Sequence, residues 1–282
     1  MTLAKSLGAR RWSALATTAI SAAAALCLAF PAPTARAQGT IERLLATVAA
    51  YAPADAGLPE SSTLRRLCGT DALCAARLLA RALGKGAALE RVAHPDTDII
   101  RRATTPPSVR ALGRLPDGAA LIALDRFGRT AERELREAIA ALDASRVVLD
   151  LRANRGGGFE RMLRVAGLFT GPVAHALDVI GKDGRRPRAI PAGGRVAGVV
   201  GLTVVVGRHT ASSGEMLAAL LRRHAGAEIV GEKTAGKDYL VRVVPVHHDW
   251  RLVLPAERVE IAGESLAGGL RPDRPAPELA PR

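Results

Sequence analysis

Ile41, Leu44, Leu45, Val48 and Ala49 fall at i, i+3, i+4, i+7 and i+8, the spacing of one helix face. Leu78, Leu79, Ala82 and Leu83 continue it, so residues 40–103 read as helical. Residues 102–107, with Thr104, Thr105, Pro106 and Pro107, break the pattern. Beyond about residue 110 the rhythm changes. Short apolar runs at 119–124, 147–151, 202–206 and 228–230 predict strands. Segments 130–142, 159–169 and 215–223 predict helices between them, the first capped by Thr130. Residues 179–199 are polar and rich in Gly and Arg, which predicts loops and a short hairpin. Residues 239–246 and 250–254 predict a second hairpin. Strands alternating with helices predict an α/β layer fold with largely parallel strands, its chemistry at strand C-termini.

The first 37 residues read as an export signal. Lys5, Arg10 and Arg11 form a basic start, and residues 15–30 are mostly apolar but short for a membrane span. Pro31 and Pro33 end that run, and Ala35-Arg36-Ala37 offers small residues for cleavage before Gln38. The expected organisation is a leader at 1–37, a helical region at 38–107 and a main domain at 108–282. Such a protein is periplasmic or secreted, and it touches a membrane only if the leader is retained. In an oxidising compartment Cys68 and Cys74 are expected to pair, closing a small loop between two helical stretches. Cys27 belongs to the leader.

Composition narrows the function classes. The chain is 48% hydrophobic and 24% charged, which fits a folded domain. Aromatic residues make up only 3%, which argues against stacking on bases or sugars. The formal charge is +13, but the arginines are scattered rather than clustered, so no nucleic-acid partner is expected. His209, His224, His247 and His248 lack metal-ligand spacing, and neither a metal nor a cofactor is expected.

Three segments carry candidate chemistry. After the strand at 147–151 comes Asp150, Leu151, Arg152, Asn154 and then Gly156, Gly157 and Gly158. Glycines between strand and helix let backbone N–H groups turn toward an anion or oxyanion; they equally suit a tight turn. After the strand at 202–206 come Thr210, Ala211, Ser212, Ser213, Gly214 and Glu215. Ser212 with Glu215 three residues later fits a capping box, and it also fits a nucleophilic Ser at a helix N-terminus. The third segment is Gly231, Thr234, Gly236 and Lys237. A crossover returns this loop beside the start of the helix. Lys237 there is either a solvated side chain or a base. A base must be neutral, which requires removal from water, and the apolar residues 239–241 are expected to supply that cover.

Taken together, residues 112–273 resemble the catalytic domain of the carboxyl-terminal processing (tail-specific) proteases, Ser/Lys-dyad serine peptidases. Asp150 to Gly157 resemble the family's D-L-R-x-N-x-G-G, Thr210 to Glu215 its S-A-S-A-S-E, and Gly231 to Lys237 its G-x-x-T-x-G-K. Gly269, Leu270, Pro272 and Asp273 resemble its late G-[IL]-x-P-D. The resemblance implies an α/β fold of the Clp protease/crotonase type. It also implies Ser212 as nucleophile and Lys237 as general base, with backbone N–H groups of Gly157 or Gly158 and of Ser213 expected to hold the oxyanion. The implied activity is an exported serine endopeptidase acting on extended peptides or proteins. The alternative is a non-catalytic member that binds peptide or protein without cutting. An acyl-CoA enzyme of the same fold is disfavoured by the export signal. Three departures stand out. No PDZ-like strand pattern precedes the core, Val241 stands where many members carry Gln, and Gly214 stands where they carry Ser.

Overall fold

The computed structural model describes residues 40–52, 56–84, 86–92, 107–247 and 249–276. The expected leader at 1–37 with Cys27, residues 102–106 of the expected break, and His248 lie outside the described residues. In chain order the elements are α1 (Thr40–Tyr51), α2 (Ser61–Cys68), α3 (Ala72–Leu83) and β1 (Ala88–Arg91). There follow β2 (Val109–Arg114), β3 (Ala120–Leu124), α4 (Ala131–Leu142), β4 (Arg146–Asp150), α5 (Phe159–Thr170), β5 (Val173–Gly181) and β6 (Gly184–Ile190). The last are β7 (Gly201–Val206), α6 (Ser213–Ala225), β8 (Glu228–Gly231), β9 (Tyr239–His247), β10 (Trp250–Ile261) and β11 (Glu264–Ser265).

The helical start is amphipathic as its spacing predicts: Ile41, Leu44 and Val48 are the buried residues of α1. The Asp71 carboxylate caps α3 by accepting from the N–H groups of Leu73 and Cys74 at 2.8 and 3.1 Å. Cys68 and Cys74 form the expected disulfide, with Cα atoms 5.5 Å apart, across the turn between α2 and α3. Leu64, Ala75, Ala76 and Leu79 join the buried face of α1 and close over Val244, Leu252 and Leu254 of β9 and β10. The helical reading of 40–103 fails at β1, which pairs antiparallel with residues 250–253. Its partner is far away in sequence, and a half-exposed strand of four residues leaves no periodic signal.

Two sheets divide the strands. The first runs β2-β3-β4-β7-β8. Its neighbours are parallel except β2, which is antiparallel to β3. All five residues of β3 are buried, as a strand covered on both faces requires. The second sheet is antiparallel, ordered β1-β10-β5-β6, with β9 and β11 also paired to β10. The sequence reading of largely parallel strands holds for the first sheet and misses the second, seen only as separate hairpins. Helix α6 contacts β7 and β8 of one sheet and β5 and β10 of the other. Its residues from Ser213 to Leu221 are all buried, the mark of a helix enclosed on every side.

Thr130 stands at the N-cap of α4 but makes no side-chain capping bond. Its hydroxyl is taken by Glu134, whose other oxygen accepts from the N–H groups of Ser108 and Val109 at 2.7 and 3.1 Å. The first turn of α4 therefore anchors the start of β2 instead of closing on itself. Loops at the C-terminal ends of β4, β7 and β8 face one another, and the candidate chemistry lies there.

Candidate active site

Ser212 links β7 to α6 with φ 54° and ψ −124°. A serine acting only as a cap sits in the extended region. This conformation is strained for a residue with a Cβ, at a cost of about 1–3 kcal/mol, and persists only where the surroundings impose it. Those surroundings are visible. The Ala211 N–H donates to the Asn154 carbonyl at 3.0 Å, and the Gly214 N–H to the Ala211 carbonyl at 3.0 Å. A Cβ on Gly214 would lie 3.0 Å from both the carbonyl and side-chain oxygens of Asn154. The glycine at this position, one of the departures noted in the sequence, is thus what lets Asn154 press on the turn.

Asn154 is fully buried. Its Nδ2 donates to the Leu124 carbonyl at 2.9 Å, and its Oδ1 accepts from the Gly156 N–H at 2.8 Å. Gly156 and Gly157 have φ of 103° and 137°, open to glycine alone. A Cβ on Gly156 would come within 3.0 Å of the Ser212 Cβ, so the glycine loop lies directly against the serine turn. Gly157 pairs with Phe127 in a parallel bridge, and its carbonyl accepts from the Ser213 hydroxyl at 3.1 Å. Gly158 is the N-cap of α5. Two helix N-termini, those of α5 and α6, therefore meet beside Ser212, a favourable setting for developing negative charge. The N–H groups of Gly156 and Ser212 are occupied, the latter by Glu215 at 2.9 Å. Ser213 opens α6, where a helix leaves its N–H without an intrahelical partner.

Glu215 joins the serine turn to the lysine loop. It has no exposed surface. One oxygen accepts from Thr234 Oγ1 at 2.5 Å and the Gly236 N–H at 2.6 Å. The other accepts from the Ser212 N–H at 2.9 Å and the Lys237 N–H at 2.8 Å. Four donors replace the water that burial removed, and among the described residues no cation pairs with this carboxylate. Thr234 in turn accepts from the Leu270 N–H at 2.7 Å. A Cβ on Gly269 would lie 2.3 Å from the Thr234 carbonyl, so the late glycine segment is pressed onto the lysine loop. Asp273 fixes that segment by accepting from the Ile229 N–H at 2.8 Å. Thr210 closes the ring: its hydroxyl donates to the Leu151 carbonyl at 2.8 Å, and its own carbonyl accepts from the Ala235 N–H at 3.0 Å.

Sequence reasoning places all four residues within the motifs, but it assigns Glu215 no role beyond a capping box and Asn154, Thr210 and Thr234 no role of their own. Their signal was available: short polar side chains set among glycines in otherwise apolar surroundings.

Lys237 departs from expectation. Its backbone is held by Glu215, but its side chain is exposed and makes no hydrogen bond or ion pair among the described residues. Val241, expected to help cover it, is 48% exposed. The physical reason is topological: β9, which begins two residues after Lys237, is paired on one side only among the described residues. Tyr239 turns elsewhere, its ring lying so close over Gly86 that a Cβ there would be 2.4 Å away. Burial, with the charges of Asp238 and Glu215, holds the Tyr239 hydroxyl above its ordinary value. His209 is exposed beside the serine turn and accepts from Arg208 Nε at 3.2 Å, while His224 contacts the Ala176 carbonyl at 3.3 Å.

The profile described as peptidase family S41 matches residues 118–275, more than half of the chain. The chain belongs to peptidase family S41. It is 30% identical over 168 residues to carboxyl-terminal-processing peptidase 2, chloroplastic, of Arabidopsis thaliana. That match covers 57% of this chain and 32% of the relative, so the S41 chain spans about a third of the relative's length. The solved photosystem II D1 C-terminal processing protease superposes with a TM-score of 0.52 at 25% identity, over 63% of this chain and 50% of the other. A lipoprotein from Streptococcus agalactiae shares the fold with a TM-score of 0.62 at 17% identity, over 84% and 91%. The fold is the Clp protease/crotonase-like α/β fold expected of the family, preceded by a small helical region. Among the described residues no helix is long and apolar enough to cross a membrane.

Proposed function

We propose that this S41 member is an exported serine endopeptidase acting on extended peptides or unfolded protein segments. Ser212 is the nucleophile and Lys237 the general base. The observation that carries the reading is the strained Ser212 turn bound, through one buried carboxylate oxygen, to the backbone of Lys237. Ser212 Oγ attacks the peptide carbonyl carbon while its proton passes to the neutral amine of Lys237. The carbonyl oxygen becomes an oxyanion facing the N–H groups of Gly157 or Gly158 and of Ser213, at the meeting point of two helix N-termini. Collapse breaks the C–N bond, and the Lys237 ammonium returns the proton to the leaving amine. Water then attacks the acyl-serine with Lys237 again taking the proton, releasing the acid and restoring the serine. The exposed Lys237 amine must be covered before it can act, and bound substrate is the cover available.

The test pairs a serine-directed phosphonate with a peptide turnover assay. The parent protein should be labelled and should cut; Ser212→Ala should do neither. The exposed lysine also favours the second reading, a peptide-binding member without turnover, which predicts binding with no labelling. Export is tested separately: N-terminal sequencing of secreted material should begin at Gln38, the residue after Ala37.

A further inference from the structure

β9 runs straight on from the Lys237 loop, and its register shows which way its backbone faces. Pro255 stands opposite Val241, and Pro245 stands opposite Arg251. A proline has no N–H, so both are positions where facing strands exchange no hydrogen bond. Val243 opposite Val253 lies midway and has the same parity. Independently, the Val259 N–H donates to the Asp238 carbonyl at 2.6 Å, which turns Asp238 toward β10 and the next residue away from it. All three observations agree. The N–H and C=O groups of Tyr239, Val241 and Val243 point outward, to an edge with no partner among the described residues. Pro245 ends that ladder, offering a carbonyl but no donor.

The side chains on this edge are unusual. Val241 and Val243 are 48% and 51% exposed. Free edges are normally blunted by charge or covered. Here the one charged residue between the valines, Arg242, alternates to the other face and pairs with Glu257, and two alternate positions on this face are left apolar before Pro245.

We propose that β9 is the substrate-binding strand of this site. An extended peptide adds to its free edge, pairing with the backbone of Tyr239, Val241 and Val243. Directly opposed residues on paired strands share a face. The peptide residues opposite Val241 and Val243 therefore lay their side chains against those valines. The site accordingly selects peptides with apolar, preferably β-branched, residues two positions apart. At about 3.3 Å per residue these subsites lie about 13 and 20 Å along the strand from Lys237, away from the bond that is cut. A chain laid there also covers the start of β9, where Lys237 is exposed. The inference rests on the peptidase reading of Ser212 and Lys237, but it is tested by binding rather than turnover.

The probes are three fluorescent eight-residue peptides. One carries Val at two alternate positions, the second Asp at both, and the third is the Val peptide with N-methyl groups on the amides meant to pair. Anisotropy is measured on the Ser212→Ala protein so that nothing is cut. The Val peptide should bind at least about tenfold tighter than each of the others. Val243→Pro in the same background removes one outward N–H without touching the bonds to β10, and it should weaken the Val peptide about tenfold. A thermal melt checks that this variant folds; the N-methyl peptide needs no variant at all. Equal binding of the three peptides overturns the proposal. So does a dimer in sedimentation velocity that Val243→Lys dissociates while no peptide binds, which would assign the edge to a second copy of the chain. If the peptide pattern appears but the parent protein neither takes the phosphonate nor cuts, the strand stands and the peptidase reading falls. If it cuts without regard to the two positions, only the strand proposal falls.

Discussion

The two halves of the candidate dyad are held in opposite ways. Ser212 stands on a turn packed against fully buried Asn154 and tied to a carboxylate with no access to water. Lys237 is tied to that same carboxylate by its backbone, yet its side chain is exposed just before a strand that, among the described residues, is paired only with β10. Placement and exposure are therefore controlled by different parts of the molecule. The buried hydrogen bonds fix where the two residues stand. The strand that follows Lys237 leaves its side chain open to whatever lies over it.

The largest test of that division is removal of either partner. Ser212→Ala and Lys237→Met should each lower kcat/KM by about 10⁴- to 10⁶-fold, with melting temperatures close to the parent. If Lys237→Met cuts peptides like the parent, the open half of the site is not a base, and His209 becomes the next candidate.

Glu215 comes next, since it belongs to both halves. Glu215→Gln keeps the shape but turns an amide NH₂ toward donors that need an acceptor. Each buried donor left unpaired costs about 1–3 kcal/mol. The variant should melt lower, and kcat should fall about 100-fold or more while peptide affinity changes little, because the strand edge is untouched. Equal losses in kcat and in peptide binding would show that Glu215 supports the whole region rather than aligning Ser212 with Lys237.

The same division explains what was legible in the sequence. The four motifs, the strands β3, β4, β7 and β8 with the helices between them, and the face of α1 all follow from local pattern; β2, the antiparallel edge strand of the first sheet, does not. The Cys68–Cys74 pair is legible from spacing and the expected compartment. What was not legible is non-local. β1 finds its partner at residues 250–253, and the edge of β9, without a partner among the described residues, depends on which strands do not reach it. The expected cover over Lys237 failed for this reason: apolar neighbours in sequence need not be buried when their strand lies at an edge. Glu215 was misjudged in the opposite direction. A capping box explains one of its four bonds, and the other three come from a loop a helix and a strand away.

A smaller effect is expected beneath the open half. Leu79 of α3 is fully buried in the cluster that supports β9 through Val244, Leu252 and Leu254. Leu79→Ala should cost about 2–5 kcal/mol of stability in chemical denaturation. Because it loosens the floor of β9 rather than the Ser212 turn, it should weaken peptide binding more than it slows phosphonate labelling. A fall in labelling with peptide binding unchanged would mean that the helical region supports the serine side instead.

The smallest effect lies outside both halves and serves as their control. Asp178 of β5 accepts from Arg185 at 2.8 Å and contacts His175 at 2.8 Å. The Arg185 hydrogen bond first, then that of His175, holds its carboxyl below the ordinary aspartate value. A carboxyl that titrates lower in the folded than in the unfolded chain stabilises the fold above the unfolded value, about 3.9. That contribution fades as pH falls from there through the lowered folded value. Asp178→Asn has no such proton to take up. In urea titrations the parent should therefore lose more stability than the variant on going from neutral pH to pH below the unfolded value. The difference should be slight, because Arg185 and His175 are largely exposed and screened by solvent. Phosphonate labelling at neutral pH should be the same in both. If parent and variant show the same acid slope, the Asp178 cluster contributes nothing to pH-linked stability, and the acid limb must come from carboxylates elsewhere, Glu228 beside Arg274 being the first to examine.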